Sequence, residues 1–111
     1  MDKLTRYRQI IQDILLEYSQ YNQNSSVMEM QTIFDTQRDH YQVVILGWEQ
    51  QKWTHYCLIH IDIKSEKIRI QLNMTEKDIA QDLVDLGISK QDIVISFHPP
   101  QMRQLTGYAV G

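Results

Sequence analysis

A single cysteine, Cys57, excludes an internal disulfide, and its place inside an apolar run predicts a reduced core thiol in a cytoplasmic protein. Proline is confined to one step, Pro99-Pro100, so little else in the chain breaks regular structure by ring geometry. The four glycines, Gly47, Gly87, Gly107 and Gly111, are scattered, which leaves no glycine-rich loop to cradle a phosphate. No hydrophobic run reaches membrane-spanning length. The charged opening Met1-Asp2-Lys3-Leu4-Thr5-Arg6 lacks the apolar segment of a secretory signal. Positive charge is short as well. Eleven Lys and Arg face fourteen Asp and Glu, a formal net charge of -3, so autonomous binding to duplex DNA is not expected. The densest basic group, Lys64, Lys67 and Arg69, is interrupted by Ser65, Glu66 and Ile68 and reads as a solvated hairpin rim.

What remains is a chain of 111 residues, the size of one domain over residues 1–111. Such a chain buries about two thirds of its unfolded surface without help from metal or disulfide. The pattern is α+β: an N-terminal helix, an antiparallel meander of about four strands, then a helix, a short strand and a short C-terminal helix. Leu4, Tyr7, Ile11, Ile14, Leu15 and Tyr18 recur at three- and four-residue steps and make one helical stripe, with Asp2 as N-cap and an end near Tyr21. The Gln, Asn and Ser of Ser19 to Ser26 favour a connector.

From Val27 to Leu72 the period changes to two. A two-residue turn at Gln50-Gln51 sets Trp48 opposite Trp53, Leu46 opposite His55 and Val44 opposite Cys57. A second turn at Ser65-Glu66 sets Ile63, Ile61 and Ile59 opposite Ile68, Ile70 and Leu72. Together these residues form a first apolar face suited to packing a helix. The other face then carries Tyr41, Val43, Ile45, Tyr56 and Leu58, joined by Met28, Met30 and Phe34, and should also be covered. Candidates for the cover are the chain's own later helices or a second copy in a homodimer.

Thr75-Glu76-Lys77-Asp78 resembles a capping box, and Ile79, Leu83 and Leu86 form the stripe of the next helix, stopped by Gly87. A turn at Ser89-Lys90-Gln91-Asp92 leads to a strand over Ile93 to Phe97, and Pro99-Pro100 opens a last helical turn. Tyr108 and Val110 after Thr106-Gly107 predict a docked tail rather than a frayed one, against this fold or a partner.

Chemical signals are few. His60 and Asp62 alternate on a strand and point to one face, as two metal ligands would, with a third to come from His40, His98 or Glu29. The competing reading pairs Asp62 with Arg69 across the hairpin and sets His60 opposite Gln71 and Tyr41. His55 falls on the apolar face as a core histidine. Cys57 is expected buried, and no hydroxyl has a nucleophile-elbow setting. The expectation is therefore no enzyme, no cofactor, no catalytic residue and no metal, with His60 and Asp62 kept as the candidates for a small metal-dependent enzyme. Trp48 and Trp53 clamp a turn or offer a recognition platform. Arg103 suits an intramolecular cap or a partner's carboxylate or phosphate. Candidate partner contacts are Trp48, Arg69, Pro99, Pro100, Arg103 and Tyr108.

Taken in order, Tyr7-Arg8-Gln9-Ile10-Ile11, Gly47-Trp48, His60-Ile61-Asp62-Ile63, Lys67-Ile68-Arg69-Ile70-Gln71, Thr75-Glu76 with Ile79-Ala80, Lys90-Gln91-Asp92-Ile93-Val94, and Pro99-Pro100 with Arg103 and Thr106-Gly107-Tyr108-Ala109 resemble the XisI family. This is the fdxN element excision controlling factor of cyanobacteria, and the resemblance covers essentially the whole chain. Ser65-Glu66 and Asn73-Met74 stand where that family commonly has Asp-Gly, and Arg69 replaces a frequent Trp. The resemblance implies an accessory protein for site-specific excision of a DNA element during heterocyst development, encoded beside XisH, a protein resembling restriction-type nucleases. It supplies no catalytic residue. The resulting expectation is a cytoplasmic regulator that contacts an XisH-like neighbour or a recombinase and has no membrane role. The alternative is an immunity-like inhibitor that masks a basic surface of a nuclease-like neighbour.

Overall fold

The computed structural model describes residues 2–22 and 27–111; Met1 and most of the predicted connector, residues 23–26, lie outside the described residues. Helix α1 spans Lys3–Tyr21 and begins where the Asp2 carboxylate accepts the Thr5 amide at 2.8 Å, as its N-cap position requires. The apolar stripe buries Tyr7, Ile11, Ile14 and Leu15. Strands β1 (Met28–Asp35), β2 (His40–Glu49), β3 (Lys52–Lys64) and β4 (Lys67–Asn73) form the antiparallel meander. Helix α2 (Ile79–Asp85) then crosses to β5 (Ile93–Ile95), which pairs parallel to β4 and ends the sheet in the order β1-β2-β3-β4-β5. A four-residue helix α3, Pro100–Arg103, precedes the tail.

Both short turns hold their residues in the left-handed region: Gln50 and Gln51 at φ 50° and 66°, Ser65 and Glu66 at φ 55° and 62°. Two consecutive positive φ values match the twist of the flanking strands, so the hairpins form although neither turn contains glycine. Gly47 is required for a different reason. At φ +145° its Cα faces the start of β1, and a Cβ there would stand 2.1 Å from the Val27 carbonyl oxygen.

Register departs from the sequence expectation at two places, the first with large consequences. Val44 pairs with Cys57, as predicted, but Val43 pairs with Ile59, so Leu58 is an extra residue in β3. Such a bulge lets Leu58 and Ile59 both join the core, and beyond it every side chain of β3 changes face. Tyr41 and Val43 thereby share one face with Ile59, Ile61, Ile63, Ile68 and Ile70, and α1 and α2 pack on that face through Ile11, Leu15, Ile79 and Leu83. Val44, Leu46, Trp48, Trp53, His55 and Cys57 pass to the opposite side, outside the helix-packed cluster. The expected pair of fully apolar faces resolves into one deep core and one mixed outer face. His55 is exposed and Cys57 half-buried, which corrects both core assignments. A second shift sets His60 opposite Leu72 and Ile59 opposite Asn73.

The later elements also differ in detail. Asp78, not Thr75, caps α2, accepting the Gln81 amide at 3.1 Å, while Thr75 hydrogen-bonds Asn73. Gly87, at φ +97°, reverses the chain so that the Ile88 amide reaches the Leu83 carbonyl at 3.0 Å. Ile88 is thereby buried, and Leu86 is left half exposed instead of completing the stripe. Strand β5 stops at Ile95, short of the expected Phe97. The tail docks on its own fold: Ala109 bridges Val94 and donates its amide to Ile93, and Tyr108 packs against the core cluster. Val110, expected to be docked with Tyr108, is exposed.

Candidate functional site

The outer face of the sheet has two chemically distinct ends. At the β2–β3 turn, Trp48 and Trp53 face each other across the strands with ring centroids 5.5 Å apart at 71°, an edge-to-face pair. They clamp the turn, yet remain 58% and 51% exposed, so they do not fill a core. Glu29 and Leu46 pair beside them, and Val27, Met28, Gly47 and the two indoles line a shallow groove of about 240 Å³.

At the other end, the bulge sets His40 directly opposite Asp62, where an unbulged register would have given Ile61. His40 Nδ1 lies 2.9 Å and His60 Nε2 2.8 Å from the same oxygen, Asp62 Oδ1. Gln71 Nε2 donates to the other carboxylate oxygen at 3.2 Å. Burial favours the neutral form of Asp62, but hydrogen bonds from His40 and His60, with that of Gln71, outweigh it and hold the carboxyl below its ordinary range. Arg69 occupies the expected register position opposite Asp62 but makes no ion pair with it; its Nε donates to the Lys64 carbonyl at 3.4 Å. The predicted cross-strand ion pair is thus replaced by a three-residue cluster. Of the three proposed third members, His40 converges; Glu29 instead accepts from Gln31.

The tail uses its polar groups internally. Arg103 donates to the carbonyls of His98, Ser96 and Val110 at 3.0, 3.0 and 3.3 Å, the intramolecular cap that its five donors allow. Lys90 stands 5.6 Å from the Tyr108 ring centroid, and Lys67 Nζ donates to the Gly111 carbonyl at 2.5 Å. Pro99 and Pro100 are exposed at the head of α3. Arg69 and the tail therefore share the β4–β5 edge through the row Arg69, Val94 and Ala109. Trp48 sits apart from them at the β2–β3 turn.

The XisI protein family matches residues 1–110. A XisI-like protein from Anabaena variabilis, known from its crystal structure, is 36% identical over 97% of this chain and 99% of that one, with a TM-score of 0.91. The chain belongs to the XisI family. A second solved relative from the same organism, described as the fdxN element excision controlling factor XisI, is 33% identical over 99% of this chain and all of the other, with a TM-score of 0.86. No curated protein matches the chain.

The XisI assignment bears out the fold expected from the sequence and supports a regulatory, non-enzymatic reading; on that ground the metal-dependent enzyme is set aside. The β3–β4 hairpin closes on Ser65 and Glu66 because both adopt positive φ. No helix among the described residues is long and apolar enough to cross a membrane. Sequence reasoning offered His40 as one of three third members and the Trp48–Trp53 pair as clamp or platform; what it missed in this XisI-family chain is the bulge that sets His40 directly opposite Asp62. The apolar runs Val43-Val44-Ile45-Leu46 and Cys57-Leu58-Ile59 interrupt the alternation at the level of the bulge, but such runs equally suit a strand covered on both faces.

Proposed function

We propose that this chain acts as one domain over residues 1–111, as an accessory protein that regulates site-specific excision of a DNA element through protein contacts. The observation that carries this reading is its full-length likeness to the solved fdxN element excision controlling factor. Net charge of -3 favours contact with a basic protein over contact with phosphates. The partner is an XisH-like nuclease-related neighbour or the recombinase itself, met in the cytoplasm, where the free Cys57 suits reducing conditions.

The contact surface is centred on Trp48, backed by Trp53, since exposed paired indoles offer large area at small entropic cost. Arg69, with Pro99 and Pro100 on the tail side, forms a second and separate region of contact. Arg103 and Tyr108 act indirectly, by holding the tail in place. Affinity capture from cells co-expressing the neighbour tests the surface. The wild-type chain should retain the neighbour, and Trp48→Ala with Trp53→Ala should lower retention at least about tenfold. Equal retention by both chains would place the contact elsewhere, and none by either would defeat the reading. The acidic balance also suits masking of a basic nuclease surface, and relief of the neighbour's toxicity on co-expression would mark the chain as an inhibitor.

A further inference from the structure

The cluster at the far end of the outer face lies away from the Trp48–Trp53 pair and has the composition of a cation site. His40, His60 and Asp62 each offer one ligand atom, a ring nitrogen or a carboxylate oxygen, and these three lie within 4.8 Å of one another. We propose that His40, His60 and Asp62 bind one divalent transition-metal ion of the zinc class. The donor set decides the class: imidazole with one carboxylate suits zinc, cobalt or nickel, whereas magnesium and calcium favour an all-oxygen shell.

Geometry supports the assignment. A tetrahedral ion with bonds of about 2.0–2.1 Å needs donor atoms about 3.3 Å apart. The nitrogen-to-oxygen separations are 2.8 and 2.9 Å and the three donors lie within 4.8 Å of one another, so side-chain adjustments alone bring them to that spacing. His40 can supply it, because its side chain is 53% exposed on the solvent side. The backbone beneath is fixed: His40 is the direct register partner of Asp62, and Ile61 and Ile63 anchor the strand in the core. Gln71 holds the second carboxylate oxygen at 3.2 Å, the kind of outer hydrogen bond that orients a metal-binding carboxylate. A neutral imidazole presents either an N–H to Asp62 Oδ1 or a lone pair to an ion, depending on the tautomer, so an ion can take the place of the two contacts to that oxygen. Three protein ligands leave a fourth position open to water.

The experiment is a titration of the untagged full chain with Co²⁺, read by visible absorption, and with Zn²⁺, read by calorimetry, at neutral pH. One equivalent should bind, with four-coordinate cobalt bands. His60→Ala and Asp62→Asn should each weaken binding at least about tenfold, and Gln71→Leu should weaken it by about tenfold. His55→Ala changes an exposed histidine outside the cluster and should bind as wild type does. Zn²⁺ should raise the Tm of wild type and His55→Ala but not of Asp62→Asn, which preserves side-chain shape. Absence of saturable binding, equal affinity in wild type and His60→Ala, or loss of binding in His55→Ala would overturn the proposal.

Discussion

At the scale of single residues, carboxylates join the N-terminal helix to the sheet. Arg8 donates to both Asp39 oxygens at 2.8 and 3.2 Å, and the fully buried Tyr41 places its hydroxyl 2.8 Å from one of them. Arg8 holds the Asp39 carboxyl below its ordinary range. Asp92 is lowered too: burial opposes its charge, but Tyr7 and Lys3 outweigh that. A carboxyl lowered by folding stabilises the folded chain in full above its ordinary value of 3.8, and loses that contribution as pH falls through the lower folded value. Urea unfolding should therefore show near-constant stability from pH 7 to 5 and a decline below about pH 4; a decline concentrated between pH 7 and 6 would contradict this account. Tyr7 sets an alkaline limit. Burial, then Asp92, pushes its phenol up to about 12, so its contribution is complete below 10 and falls away as pH rises toward 12. Replacing Tyr41 with Phe should cost about 1 kcal/mol, since Asp39 keeps Arg8 and only one hydrogen bond is lost. Gly47→Ala should cost more, about 1–3 kcal/mol, because β1 must move away from the new methyl group. Thermal and urea melts measure both.

Among the elements, turns and caps were the most legible. Gln50-Gln51 and Ser65-Glu66 lie where the alternating runs require two-residue turns, and Asp2 and Gly87 act as the ends their chemistry suggests. What was not legible involved a residue inserted without compositional signature. The Leu58 bulge moves half of β3 to the other face, and nothing in a single strand's pattern distinguishes an apolar doublet at a bulge from one at a strand covered on both sides. The error carried to the site, because the position of His40 depends on that register. Leu86 was misplaced for a related reason: the helical period continued through a reversal that hands its place to Ile88. Two predictions belong here. Ser65→Asn with Glu66→Gly should stabilise the chain by about 0.5–1 kcal/mol by relieving left-handed strain, less the entropic cost of glycine. Leu83→Ala, at a fully buried position between α2 and the core, should destabilise it by about 2–5 kcal/mol.

For the whole molecule, one side of the sheet is committed to folding and the other is left for contacts. The helices bury the face built from Tyr41, Val43 and the isoleucines of β3 and β4, and the tail closes the β5 edge. The outer face keeps exposed indoles at one end and the His40–His60–Asp62 cluster at the other. This division suits the proposed role, in which the outer face meets another protein. The most direct test is the native mass of the chain purified alone and after co-expression with the proposed XisH-like partner, at moderate salt. A mixed complex of defined stoichiometry, lost on changing Trp48 and Trp53 to Ala, is the expected result. A chain that keeps the same mass in both preparations would contradict the account.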